Sequence, residues 1–225
     1  MFDGEGEEKG AIILRKFVWD ANVVIHFDNI GYLENFLQKL EELDDKVYMA
    51  EKNYDEATRG HIQRIKVLKN YRIFEIFHPN NDDFDIFQNK LLQNRINLSG
   101  KDRYVPYTAK IKKADYVVTS DENVLKKTKD IRKYYNIKYM MPITNVSLIT
   151  HLYVYRKLKI EEYVKIVLKY FKHEEMSNIY DAIKNKNRGW PLEDVRERVQ
   201  WYKDPLVDAL TDKIDGAQVR VKMYE

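Results

Sequence analysis

Cysteine is absent from the 225 residues, which excludes disulfides, thiolate metal sites and cysteine nucleophiles, so any metal must be held by oxygen or imidazole. Histidine is scarce: five scattered residues include no His-Glu-x-x-His and no tight pair that would point to zinc. With 5 prolines and 8 glycines the chain is not a low-complexity or collagen-like polymer. No apolar run approaches the roughly 20 residues of a membrane-spanning helix. The opening stretch 1–10 is acidic, unlike a signal peptide, and is read as a disordered lead-in with little to bury. The expectation is a cytoplasmic globular protein with no membrane partner.

What is present is charge, unevenly placed. The net charge of +3 covers an acidic first quarter, with 7 Lys or Arg against 14 Asp or Glu over 1–60, and a basic middle, with 11 against 5 over 101–140. Such a middle is either a polyanion-binding face or a lysine-rich solvated surface, and both readings stand.

Periodicity places the elements. Strands are expected over 11–19, 47–50, 71–77, 116–119 and 137–143, and helices over 29–43, 54–68, 84–96, 102–114 and 124–135. The first helix rests on Ile30, Leu33, Phe36, Leu37, Leu40 and Leu43, spaced at three and four. Gly60 weakens the second as a single helix. Strands alternating with helices predict an α/β domain over 11–152, with a central parallel five-stranded sheet in a three-layer α/β/α arrangement. Residues 153–225 read as a mainly helical C-terminal extension. Apolar stripes recur around 160–171, 176–183, 192–202 and 206–214, followed by a strand-like alternation over 217–223.

The organising stretch is Phe17-Val18-Trp19-Asp20-Ala21-Asn22-Val23-Val24-Ile25. An apolar run ending in a carboxylate is how a buried parallel strand delivers an acid to its C-terminal end, where open α/β sheets place their sites. A carboxylate buried there needs a partner, and a metal ion is the usual one. Asp20 equally suits the N-cap of a following helix. Glu56, on the helix after strand two, Asp102, opening the helix before strand four, and Asp121, just after strand four, fall at the same end of the sheet. Each has an ordinary cap or turn reading on its own. Together they would repel unless divalent cations sat between them, and hard oxygen ligands suit Mg²⁺ or Mn²⁺.

These residues carry a resemblance. Asp102-Arg103-Tyr104-Val105, Ala109 and Ala114-Asp115-Tyr116-Val117-Val118-Thr119-Ser120-Asp121 resemble the third and fourth acidic motifs of PIN-domain nucleases, and Asp20-Ala21-Asn22-Val23 resembles their opening Asp-x-Asn motif. Glu56 falls where the family keeps a helical glutamate, with Glu51 and Asp55 beside it. The resemblance implies a metal-dependent endoribonuclease that leaves a 5′-phosphate and a 3′-hydroxyl. Its catalytic and metal-binding residues would be Asp20, Glu56, Asp102 and Asp121, with Asn22 and Thr119 in support. Members often carry a further acid two positions beyond the fourth motif. Here that position is Asn123, with Glu122 as the neighbouring substitute.

For grip on single-stranded RNA the candidates are Lys110, Lys112, Lys113, Lys126, Lys127, Lys129, Arg132 and Lys133, with Tyr104 and Tyr107 as base-stacking rings or core residues. His26 reads as structural. Expected partners are RNA, a second copy of the chain through 153–225, and an antitoxin-like protein if the enzyme is a toxin rather than an RNA-processing nuclease. Two other readings remain: a PIN-like RNA-binding scaffold without turnover, and a structure-specific DNA nuclease using the same carboxylates.

Overall fold

The structure, a computed structural model, describes residues 14–159, 162, 163, 165–167, 169 and 170. The expected lead-in over 1–10, the helices beyond 171 and the strand-like ending lie outside the described residues.

Five strands, β1 (Lys16–Trp19), β2 (Lys46–Ala50), β3 (Phe74–Phe77), β4 (Tyr116–Val118) and β5 (Met141–Ile143), form one sheet in the order β3-β2-β1-β4-β5. Every pairing is parallel, with Val18 opposite Tyr48 on one side and Val117 on the other. The fold is therefore α/β with an all-parallel sheet. Parallel strands need long crossovers, and helices supply them: α1 (Ala21–Asn29), α2 (Leu33–Glu41), α3 (Glu51–Thr58), α4 (Ile62–Lys69), α5 (Asn81–Gln93), α6 (Tyr104–Lys112), α7 (Glu122–Tyr134) and α8 (Asn145–Val154).

Side chains alternate along each strand, so the sheet feeds two cores. Phe17, Trp19, Val47, Met49 and Val118 join a buried cluster with Phe27, Phe36, Leu37, Leu40 and Leu68. The intervening Val18, Tyr48 and Val117 join a second cluster with Phe87, Leu91, Val105, Ala109, Val124 and Ile131. Continuous apolar strands such as Phe-Val-Trp follow from this burial on both faces. The first cluster extends into the expected tail, where Leu158, Tyr163, Ile166, Val167 and Tyr170 are buried against it.

Several boundaries differ from the sequence reading, each for a local reason. The first helix begins at Ala21 rather than 29, because Asp20 adopts an extended N-cap conformation and its side chain accepts from the Ala21 amide. Gly31, at φ +72°, then turns the chain into α2. Gly60, at φ +75°, divides the expected 54–68 helix into α3 and α4. The last strand is shorter than 137–143. Arg132 holds the preceding turn by donating to the carbonyls of Tyr139 at 2.8 Å and Lys138 at 3.2 Å.

At the amino end of the sheet, α8 is fastened by a buried pair. His151 donates Nε2–H to Asp45 Oδ2 at 2.7 Å, while Asp45 Oδ1 accepts from the Arg15 amide at 3.0 Å. Both side chains are buried, and the ring stands edge-on to Phe17. Removing one partner strands the other in the core. Asp45→Ala is expected to cost about 3 kcal/mol in urea unfolding. Arg72→Ala, which breaks exposed pairs to Glu41 and Asp44, should cost under about 1 kcal/mol. Equal costs would contradict this account.

Candidate active site

The chain leaves β1 toward β2 and β3, whereas β4 and β5 lie on its other side. Connections therefore diverge above the carboxyl ends of β1 and β4, which is where open α/β sheets form a crevice. Asp20 follows β1 and Thr119 follows β4, so the two meet at that switch point.

Asp20 is buried, 6% exposed, and its carboxylate is enclosed by donors. Oδ1 accepts from the Ala21 amide at 2.7 Å and from Asn53 Nδ2 at 3.2 Å. Oδ2 accepts from Thr119 Oγ1 at 2.7 Å and from Asn22 Nδ2 at 2.8 Å. Thr119 Oγ1 also accepts, from Asn22 Nδ2 at 2.9 Å and from the Asp121 amide at 3.0 Å. Asn22 Oδ1 in turn accepts from the Ser120 amide at 3.1 Å. One continuous network thus locks the β1–α1 corner to the β4–α7 loop.

Burial still outweighs these donors. The Asp20 carboxyl is pushed up from 3.8 to about 6, first by desolvation. The bonds from Thr119 and Ala21 pull the other way, and the charges of Asp102 and Asp121 add to the rise. Because the folded state holds this proton more tightly than the unfolded chain, the associated stability is present below about 3.8 and lost as pH rises through about 6. The difference is on the order of 3 kcal/mol. At neutral pH the site is a local liability.

Asp121 caps α7, its Oδ1 accepting from the amides of Asn123 at 2.7 Å and Val124 at 3.1 Å. Asp102 lies in the turn before α6, half-buried, with Oδ2 accepting from Ser99 Oγ at 2.6 Å. Unlike Asp102 and Asp121, Glu56 is not among the charges that raise the Asp20 carboxyl. It is exposed on α3 and paired with Lys101 Nζ at 3.3 Å. The α3 residue that reaches Asp20 is Asn53, one turn earlier and 1% exposed. Its signal in the sequence is a polar residue on the same helical face as Tyr54 and Ala57, both buried.

Among the described residues, no group of three or more His, Asp or Glu side chains forms a ready metal-binding cluster. Asp20, Asp102 and Asp121 are coupled through their charges rather than through a shared ligand position. The donor chemistry nevertheless fits a hard divalent cation. It is all carboxylate oxygen, from Asp20, Asp102 and Asp121, whose charges repel one another at Asp20.

The basic residues divide into two groups. Lys110 and Lys112 occupy the last turn of α6 and Lys113 its left-handed C-cap, about 15 Å along the helix direction from Asp102. Lys112 is ion-paired with Glu75 and lies over the Tyr48 ring, and Lys110 lies over the Tyr135 ring. Arg132 is committed to the backbone carbonyls described above. Lys126 and Lys127, on α7 behind the Asp121 cap, share the carboxylate end of the domain. They pair with Glu122 at 2.5 Å and Asp130 at 3.2 Å. Lys129 and Lys133 are exposed farther along α7. Tyr107 is buried and Tyr104 stacks on Phe84 at 4.0 Å, so Tyr107 belongs to the core. His26 faces Asn145 and Tyr170.

Thr119→Val keeps the shape of a fully buried side chain but removes a donor to Asp20. It should move the Asp20 midpoint above about 6, read by carbon-detected NMR titration of the side-chain carboxyl. A wild-type midpoint near 3.8, or no change in the variant, would contradict the stated balance. Compared with known proteins, the chain matches no family model and no curated protein.

Proposed function

We propose that the chain is a divalent-metal-dependent endoribonuclease with a three-layer PIN-like domain, cleaving phosphodiester bonds of single-stranded RNA. The observation that carries this reading is the buried Asp20 at the switch point, destabilised as an anion and surrounded by the fields of Asp102 and Asp121. Mg²⁺ or Mn²⁺ held there would acidify a bound water and offset charge on the scissile phosphate. Asp20, Asp102 and Asp121 would be its carboxylate ligands. Asn22 and Thr119 orient the Asp20 carboxylate through the bonds at 2.8 and 2.7 Å. Asp121 is held by its own capping bonds at the mouth of the crevice. Lys126 and Lys127, on the same helix, are suited to contact phosphates and so to supply affinity without sequence preference.

A second reading is a PIN-like RNA-binding scaffold without turnover. Two observations favour it: both Asp20 oxygens already accept two hydrogen bonds each, and Glu56 is engaged by Lys101. A DNA nuclease would use the same carboxylates.

Incubation of a mixed single-stranded RNA pool with Mn²⁺ separates these readings. The nuclease reading expects 5′-phosphorylated products whose rate falls by about 100-fold or more in Asp20→Asn and Asp121→Asn, with RNA binding retained. Chelator-insensitive binding without products would establish the scaffold instead. Cleavage confined to a matched DNA pool would reassign the substrate. Products that persist in both variants would remove Asp20 and Asp121 from the chemistry.

A further inference from the structure

We infer that the domain holds single-stranded RNA at a second place, a surface cavity among the C-terminal ends of α5, α6 and α7 that seats one base while the surrounding lysines hold the flanking phosphates. The inference rests on RNA as the ligand, which the nuclease and scaffold readings share, and adds a contact remote from the Asp20 crevice.

Helices that connect parallel strands run against them, so α5, α6 and α7 end together at the amino end of the sheet. Their last turns carry Lys90, Lys110 with Lys112, and Arg132 with Lys133. Among these ends lies a cavity of about 230 Å³, lined by buried Phe87 and Tyr107, by exposed Ile86 and Ile111, and by Tyr135. That volume is below the roughly 300–1,000 Å³ of a drug-sized ligand site, so it suits a single planar ring.

Cations and aromatic rings surround this hollow. Lys90 and Lys110 line it, with Lys110 Nζ 5.0 Å from the Tyr135 ring centre. Tyr135 meets the ring of Tyr134 at 4.7 Å, and Tyr134 is 45% exposed beside exposed Lys133. The Tyr139 hydroxyl donates to the Lys110 carbonyl at 3.3 Å and Arg132 holds the Lys138 carbonyl, which brings exposed Lys138 to the same surface. Unlike Lys112, Lys126 and Lys127, the side chains of Lys90, Lys133 and Lys138 form no ion pair among the described residues.

A merely solvated lysine surface has no need of an apolar hollow and an exposed ring between its charges. Unpaired cations that track a backbone, interleaved with rings that take bases, are what single-stranded nucleic acid requires. Asp83 in the lining separates RNA from an acidic protein. Its carboxylate repels an acidic side chain, whereas it can accept from the exocyclic amine of adenine or cytosine.

The test is fluorescence anisotropy of the full chain with a labelled adenine and cytosine oligoribonucleotide, in chelator so that no cleavage intervenes. Lys90→Ala combined with Lys133→Ala should weaken binding about fivefold or more and lower the salt slope by about 1.4. The same loss of charge at Lys66 and Lys69, exposed in the last turn of α4 against the other core, should change it by less than about twofold. Tyr134→Ala should weaken binding about fivefold or more. Ile111→Glu should weaken it well beyond Ile62→Glu, an equal change of charge at an exposed position of α4.

Equal effects of the two lysine pairs, equal effects of the two isoleucine variants, or Tyr134→Ala binding like wild type would each overturn the inference. So would displacement of the RNA by poly-glutamate as effectively as by unlabelled RNA. If these variants bind like wild type while Asp20→Asn loses Mn²⁺-dependent cleavage, the nuclease reading survives and this inference fails. If they lose binding in a chain that yields no products, the inference holds under the scaffold reading. A wild-type chain that binds no RNA overturns both.

Discussion

The Thr119 hydroxyl crosses from the end of β4 to Asp20 at the end of β1, a 2.7 Å contact between residues 99 positions apart. That one hydroxyl donates to the carboxylate, accepts from Asn22 and accepts from the Asp121 amide. It therefore sets where α1 and α7 begin relative to each other. Parallel register alone brings the two strands side by side. The hydroxyl network turns that adjacency into a defined corner, with the first amide of α1 donating to the Asp20 carboxylate and the first amides of α7 capped by Asp121.

The corner is arranged against its own stability. Two cores fill the faces of the sheet with aromatic and branched side chains, and the amino end is closed by the His151 to Asp45 pair. Among the described residues, Asp20 at the carboxyl end is the buried carboxylate placed in the repulsive field of two others. The bonds from Thr119 and Ala21 reduce its cost without cancelling it, which is why the group prefers its proton up to about pH 6. Sites that keep such a cost are the places where function is expected to override folding economy.

Much of this was legible in the sequence for identifiable reasons. Phe17-Val18-Trp19 reads as a strand because both faces of the sheet are covered, and Asp20 stands out as the polarity break that ends it. Asp121 reads correctly as following the fourth strand because Val117-Val118 is equally apolar. Helix limits were harder, since Gly31 and Gly60 act through positive φ rather than through any change in apolar spacing. Glu56 stands out in the sequence by its place on the helix after strand two, whereas the α3 residue that reaches Asp20 is Asn53, which reads there as an ordinary helical polar residue. The basic segment over 101–140 was visible as composition. Its division between the two ends of α6 and α7 is a matter of helix direction, which charge counting does not encode.

The most direct measurement of the central claim is paramagnetic broadening of backbone amide signals in the full, nitrogen-labelled chain on adding trace Mn²⁺. If the crevice above β1 and β4 is a cation site, the signals of Ala21, Asn53, Asp102, Ser120 and Asp121 should fade first and together. Loss confined to surface acids such as Asp82, Asp83 and Asp85 on α5, with the crevice signals intact, would contradict it.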